Sequence, residues 1–190
     1  MRPMPLLILL AAAAAAQGAQ ARPPLVTDPS LPRELPAADD VTVRWSDPAG
    51  FSELRSSHNR REAARGNWVV TLAEHLQQRA AARLPDGQHM DITITDIQRA
   101  GSFEPWLSPD MSHVRMMRDI YPPRMTLDVR ITGQDGQVLS EGQYRLSDMN
   151  YLHSAPLTVN SSDPLRHEKR MIDTWVRREL PDPATAQAAR

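Results

Sequence analysis

The chain has 190 residues, with 22 Lys and Arg against 23 Asp and Glu, a formal net charge of −1, and no cysteine. A near-neutral balance excludes the clustered basic surplus of nucleic-acid-binding proteins, so no nucleic-acid partner is expected. The absence of cysteine excludes disulfides, thiol nucleophiles and thiolate metal sites. It also excludes the modified cysteine that carries a lipid anchor.

Residues 1–21 have the order of a secretory signal peptide. Arg2 precedes an apolar run over 6–16, and Ala19-Gln20-Ala21 places small residues where cleavage would follow. A basic start, a short apolar segment and an A-x-A ending predict removal of this segment after Ala21. The apolar run is shorter than the roughly 20 residues that span a bilayer. The sequence therefore predicts an exported protein, periplasmic or secreted, with no membrane span.

Proline content divides the remainder of the chain. Residues 22–40 contain five prolines and few apolar neighbours, which predicts an extended arm. Residues 181–190 begin with Pro-Asp-Pro and are predicted to be a disordered tail. The block over 41–180 is long enough for one domain with a core of its own.

Apolar patterns predict the elements of this domain. Residues 41–45 and 91–95 are apolar at every second position, as in half-buried strands. The stretches 68–84 and 165–180 carry apolar residues at helical spacing and predict two amphipathic helices. Residues 102–123 mix both signals; we expect an extended segment there, and the choice between helix and strand stays open for 108–121.

Asp135-Gly136 lies between two alternating runs and predicts a β-hairpin with a two-residue turn. In that register Arg130 faces Glu141 on one side of the sheet, while Leu127 faces Tyr144 on the other. A slip of one residue would destroy both pairings, so the register should be well specified.

Together these patterns predict an α+β fold. Strands that alternate have only one face covered, because strands covered on both faces read as continuous apolar runs. We therefore expect a two-layer sandwich, in which a mainly antiparallel sheet of about four strands has two amphipathic helices on one face.

Motifs for catalysis are scarce. The sequence has no pair of histidines at zinc-peptidase spacing, no Gly-rich phosphate loop and no G-x-S-x-G motif. Met111, His113 and Met116 are soft ligands that would suit copper, yet the histidines have no ligand-like spacing. We expect no metal and no cofactor.

Two carboxylates are the candidates for an enzyme. Asp96 continues the inward register of its strand, and Asp148 closes the second strand of the hairpin. Buried carboxylates can serve as acids or bases. A structural role is favoured for both: Asp96 would accept backbone hydrogen bonds at a bulge, and Asp148 would make a local side-chain turn.

The polar residues of the hairpin should project together from the open face of the sheet. Aromatic residues with nearby arginines, in the loops before the hairpin, can also mark a recognition surface. The binding candidates are therefore Arg130, Glu141 and Arg145 on the face, and Trp106, Tyr121 and Arg124 in the loops.

Four segments carry a resemblance to a known family. They are LPDGQ at 84–88, ITITD at 92–96, RDIYPPR at 118–124 and LSDMNY at 146–151. In combination they resemble the bacterial domain-of-unknown-function family numbered 3016, over nearly the whole of 41–180. The resemblance implies an exported proteobacterial protein and supplies no activity or site.

The leading hypothesis is a periplasmic, non-enzymatic binding or accessory domain with an envelope protein as its partner. The alternatives are a small hydrolase that uses Asp96 and Asp148, and a metal carrier that uses Met111, His113 and Met116.

Exported protein is expected to begin at Arg22, because cleavage should follow the A-x-A ending at Ala21. N-terminal sequencing of the protein from a periplasmic extract checks this. Exported material that still begins at Met1 would contradict it.

Overall fold

The computed structural model describes residues 23–38, 40–153 and 162–180; the predicted signal peptide and tail lie outside them. The strands are β1 (Val41–Trp45), β2 (His89–Gln98), β3 (Ser102–Phe103), β4 (Arg115–Met116), β5 (Arg124–Thr132) and β6 (Val138–Ser147). The α-helices are α1 (Ser52–Arg55), α2 (Arg60–Ala63), α3 (Trp68–Ala81) and α4 (Arg166–Glu179), with 3-10 turns at Pro48–Gly50 and Pro109–Met111. Among the described residues, no helix has the length and apolar character needed to cross a membrane.

The main sheet has four strands in the order β1-β2-β5-β6, and β3 pairs with β4 in a separate small sheet. β1 and β2 are parallel and are joined through α3, whereas β2, β5 and β6 are antiparallel to their neighbours. The fold is therefore α+β, as the sequence predicts, with one parallel pair in a mainly antiparallel sheet.

The core lies between one face of this sheet and the two long helices. Inward side chains of the strands, such as Ile92 and Leu127, are fully buried. Leu72 and Leu76 of α3 and Ile172 of α4 are fully buried in the same cluster. The apolar stripes of both helices therefore pack on one side of the sheet, which confirms the predicted two layers.

The hairpin has the predicted register but a different turn. Arg130 faces Glu141 and Leu127 faces Tyr144. The loop has three residues, because the N–H of Gly136 donates to the carbonyl of Gly133 (2.9 Å) and the N–H of Gly133 donates to that of Gln137 (2.9 Å). Only Gly136 of this loop has a positive φ, of 78°, whereas the predicted two-residue turn needs two such residues. A register shift beside Thr132 then restores the predicted pairing.

The described part of the proline-rich arm makes two turns over 25–31 and packs against the domain. Val26 and Leu35 are buried in the core cluster. The N–H of Leu35 donates to the carbonyl of Val43 (2.9 Å), and the N–H of Trp45 donates to the carbonyl of Arg33 (2.9 Å). The arm therefore lies along the outer edge of β1.

Leu127→Ala should cost about 2–5 kcal/mol of unfolding free energy, because the side chain is fully buried and leaves a cavity. The double variant Arg130→Ala/Glu141→Ala should lower Tm by no more than about 4 °C, since both side chains are exposed. Thermal melts of the two variants check this. Equal destabilisation would mean that the outer face is buried and that the two-layer arrangement is wrong.

Candidate binding surfaces

A cluster of buried charges lies where β2 ends. We call Glu53, Arg99, Arg115 and Glu168 the buried charge cluster. They come from α1, the position directly after β2, β4 and α4, so the cluster joins four parts of the chain. Glu53 and Glu168 are almost completely buried, and two guanidinium groups accompany the two carboxylates.

Glu53 fixes the chain as it leaves β2. One of its oxygens accepts the backbone N–H of Arg99 (2.9 Å), and the other forms an ion pair with Arg115. Arg115 also donates to the carbonyls of Ala100 (3.3 Å) and Gly101 (3.1 Å). Each of these contacts holds the backbone of 99–101, so the direction in which the following loop starts is set by side chains.

Glu168 holds the same turn from the helix layer. Its Oε1 accepts the N–H of Ala100 (2.8 Å) and lies 3.9 Å from Nε of Arg99. Burial raises the pKa of Glu168 above its ordinary value, against the opposing charge of Arg99 and the hydrogen bond from Ala100. Within the described residues, Glu168 Oε2 and Arg99 Nε have no hydrogen-bond partner.

A third buried carboxylate, that of Glu104, organises the loop that follows. Arg118 donates to Glu104 from two nitrogens (2.9 and 2.7 Å), and the hydroxyl of Tyr121 donates to the same carboxylate (2.8 Å). Hydrogen bonding from Arg118 is the main reason that the pKa of Glu104 lies below its ordinary value. The predicted binding residue Tyr121 is therefore half-buried and engaged within the protein.

The loop after β6 is attached to the same region. The hydroxyl of Tyr151, a buried side chain, donates to the carbonyl of Arg118 (2.7 Å). Nε2 of His153 lies 3.4 Å from Oδ1 of Asp119. We call residues 104–120 and 148–152 together the loop surface.

Large apolar side chains are exposed on the loop surface. Ile120 is 72%, Met149 65% and Trp106 58% exposed. The other exposed ones are Leu107, Met111, Met117 and Leu152. Exposing large apolar side chains to water is unfavourable. Their exposure on loops that buried charges hold in place is typical of a docking surface.

The outer face of the main sheet is polar. A shallow depression across it is lined by Arg44, Asp91, Asp128, Arg130 and Glu141, among others. Arg44 pairs with Asp91 (3.2 Å). The side chain of Gln143 donates to Asp128 (3.0 Å). This face carries mixed charges that are partly paired with one another.

The binding candidates are divided between these surfaces. Arg130 and Glu141 face each other, yet no ion pair within 4 Å joins them among the described residues. Arg124 and Arg145 lie exposed on β5 and β6. Trp106 lies on the loop surface, with its ring 4.8 Å from that of His58.

The two candidate catalytic carboxylates have separate structural partners. Asp96 follows a register shift in β2 and accepts the backbone N–H (2.5 Å) and the hydroxyl (2.6 Å) of Ser52. Asp148 pairs with Arg170 and accepts the N–H of Asn150 (3.1 Å). These are the structural roles that the sequence favours, and neither carboxylate is a partner of the other.

The potential soft metal ligands all lie within the loop surface. Met111 and His113 are exposed, and Met116 is half-buried in β4. Within the described part of the chain, no three His, Cys, Asp or Glu residues form a group that could hold a metal ion.

Sequence reasoning missed the buried charges. Glu168 and Asp173 lie on the apolar stripe of α4, among Leu165, Ile172 and Val176. A charged residue at such a position indicates in the sequence that a charge is buried. Asp173 is buried and lies 2.9 Å from Nε2 of His75 on α3. Glu53 lies in a single turn of helix and has no comparable signal in the sequence.

The family model of a protein of unknown function (DUF3016) matches residues 39–178. This match covers most of the chain, so the chain belongs to that family. No curated protein and no solved structure matches. The match shows the family of the chain and no activity.

Glu168→Gln should become more stable relative to the parent as the pH rises. The pKa of Glu168 in the folded state lies above its ordinary value of 4.5, so folding takes up a proton between these pKa values. The free energy of unfolding therefore falls as the pH rises through that window. Removing the titrating group removes this fall, so urea unfolding at a series of pH values should show the stability of the variant rising relative to the parent from acid towards alkaline pH.

Asp173→Asn should show the opposite trend. Burial acts to raise the pKa of Asp173, but the hydrogen bond from His75 and the charges of His75, Arg79 and Arg177 outweigh it and lower the pKa. The stability that Asp173 contributes is present above its ordinary pKa of 3.8 and is lost as the pH falls through the lower folded value. The variant should lose about 1–3 kcal/mol at neutral pH and less in acid. The same sign of pH dependence in both variants would contradict these assignments.

Proposed function

We propose that this DUF3016 member is an exported, periplasmic and non-enzymatic binding protein that docks onto another envelope protein through the loop surface. Export is supported by the basic start, the short apolar run and the A-x-A ending of residues 1–21. The absence of cysteine fits a soluble exported chain that folds without disulfides.

The exposed apolar side chains of the loop surface carry this proposal. Trp106, Ile120 and Met149 are each more than half exposed. Aromatic and large aliphatic anchors supply most of the free energy in protein–protein interfaces, where they are buried in the partner. A small ligand would instead need a concave pocket that encloses most of its surface.

The hydrogen bonds that order the loop surface before any partner binds also support the proposed function. Glu104 accepts hydrogen bonds from Arg118 and Tyr121, and Glu53 and Glu168 hold the turn at 99–101. A loop that is already ordered loses less conformational entropy when a partner binds. Buried carboxylates that hold loops in place thus serve binding even though they do not contact the partner.

The outer face of the sheet is a weaker candidate for the docking surface than the loop surface. Its charges are mixed, and several are satisfied within the protein, such as Arg44 with Asp91 and Asp128 with Gln143. A surface of this kind is stable in water without a partner. No observation on the described residues favours the hydrolase or the metal carrier over the binding protein.

The double variant Trp106→Ala/Ile120→Ala should fold normally and lose its partner. Both side chains are exposed, so Tm should change by no more than about 4 °C. The partner captured by the tagged full-length protein from a periplasmic extract should fall at least about tenfold, as quantified by mass spectrometry.

Leu31→Ala is the matched control, since Leu31 is an exposed leucine on the arm, away from the loop surface. It should retain the partner. Equal recovery of the partner by all three proteins, or no envelope protein retained by the parent, would contradict the proposed function.

A further inference from the structure

The two edges of the main sheet differ in whether another described segment pairs with them. The arm covers the edge at β1 through the hydrogen bonds of Leu35 and Trp45. No described strand pairs with the outer edge of β6, which is the last strand in the order. Every second residue of such an edge strand directs its N–H and C=O away from the sheet, ready to pair with another strand.

β6 lacks two of the features that usually protect an exposed edge, although it carries the charged residues Glu141 and Arg145. It runs for 10 residues, VLSEGQYRLS, and contains neither proline nor lysine. The one register shift of the hairpin lies near its start, beside Thr132, so the rest of the strand is regular. This edge can therefore accept a further strand along most of its length.

The charges on β6 complement those of a second, antiparallel copy of the same strand. Glu141 and Arg145 are both exposed on the outer face, and Gln143 lies midway between them. Neither charge forms an ion pair with another described residue. When two copies of β6 are antiparallel and centred on Gln143, each Glu141 faces Arg145 of the other copy, twice in one symmetric interface.

The inner face of β6 fits the same register. Gly142 then lies opposite Tyr144 of the second copy, and a glycine leaves room for a ring beside it. Around the position that a Cβ would take at Gly142, only the ring of its own Tyr144 comes within 4 Å, at 3.9 Å. Because residues of the same face are opposite each other, both helix layers lie on one side of the joined sheet.

We propose that a second copy of this chain occupies the β6 edge, with a two-fold axis at Gln143. The four-stranded sheets then form one sheet of eight strands. Because the two copies of β6 run in opposite directions, the loop surfaces that follow them lie at opposite ends of the dimer. Sedimentation of the isolated protein measures dimerisation and partner capture measures the proposed function, so the two proposals can succeed or fail independently.

Charge-swap variants test this pairing by sedimentation of the mature full-length protein over a range of concentrations. The parent should be a dimer. Glu141→Arg and Arg145→Glu each place like charges opposite one another at both ends, so each should weaken dimerisation at least about tenfold. The double variant Glu141→Arg/Arg145→Glu should dimerise like the parent, and an equimolar mixture of the two single variants should form a heterodimer.

Arg124→Glu is the control, because Arg124 lies on the same face but on β5, away from the edge. It should leave the dimer intact. A parent that stays monomeric at all concentrations would overturn the proposal. Protection of the β6 amides from hydrogen exchange in such a monomer would show that another part of the same chain covers the edge. A dimer that is insensitive to both single charge changes would also overturn it.

Discussion

The buried charge cluster at the end of β2 is the constraint on which the loop surface depends. Removing two carboxylates and two guanidinium groups from water is costly, and close pairing only partly offsets that cost. Here the carboxylates also accept backbone N–H groups, from Arg99 to Glu53 and from Ala100 to Glu168. The cluster therefore fixes the path of the backbone at one point, and the solvent-facing loop after β2 begins from that point.

The same turn connects the two layers of the fold. Glu168 belongs to α4 and Glu53 to α1, whereas the backbone they hold belongs to the end of β2. Packing of apolar stripes sets the distance between the helices and the sheet, but it does not specify how a loop leaves a strand. Directional hydrogen bonds supply that specification, and Glu104 with Arg118 continues it along the loop.

Periodic features of the fold could be predicted from the sequence, because each follows from local rules. The hairpin register, the two helices and the structural role of Asp96 at a bulge were all accessible in this way. The three-residue turn was not, since a shift beside Thr132 compensates for the extra residue. Glu53 and Arg115 lie 62 positions apart, and no local pattern indicates that a fold will bring them together.

Hydrogen exchange of the Glu53→Gln variant tests the central claim, that buried charges hold the loop surface in place. The backbone amides over 99–121 should exchange faster in the variant, whereas the amides of β5 and β6 should be unchanged. Glu62→Gln is the control, because the Glu62 carboxylate pairs with Arg65 (2.9 Å) and not with the backbone of 99–101, and it should change neither region. Unchanged protection over 99–121, or a uniform loss of protection across the whole domain, would contradict the account.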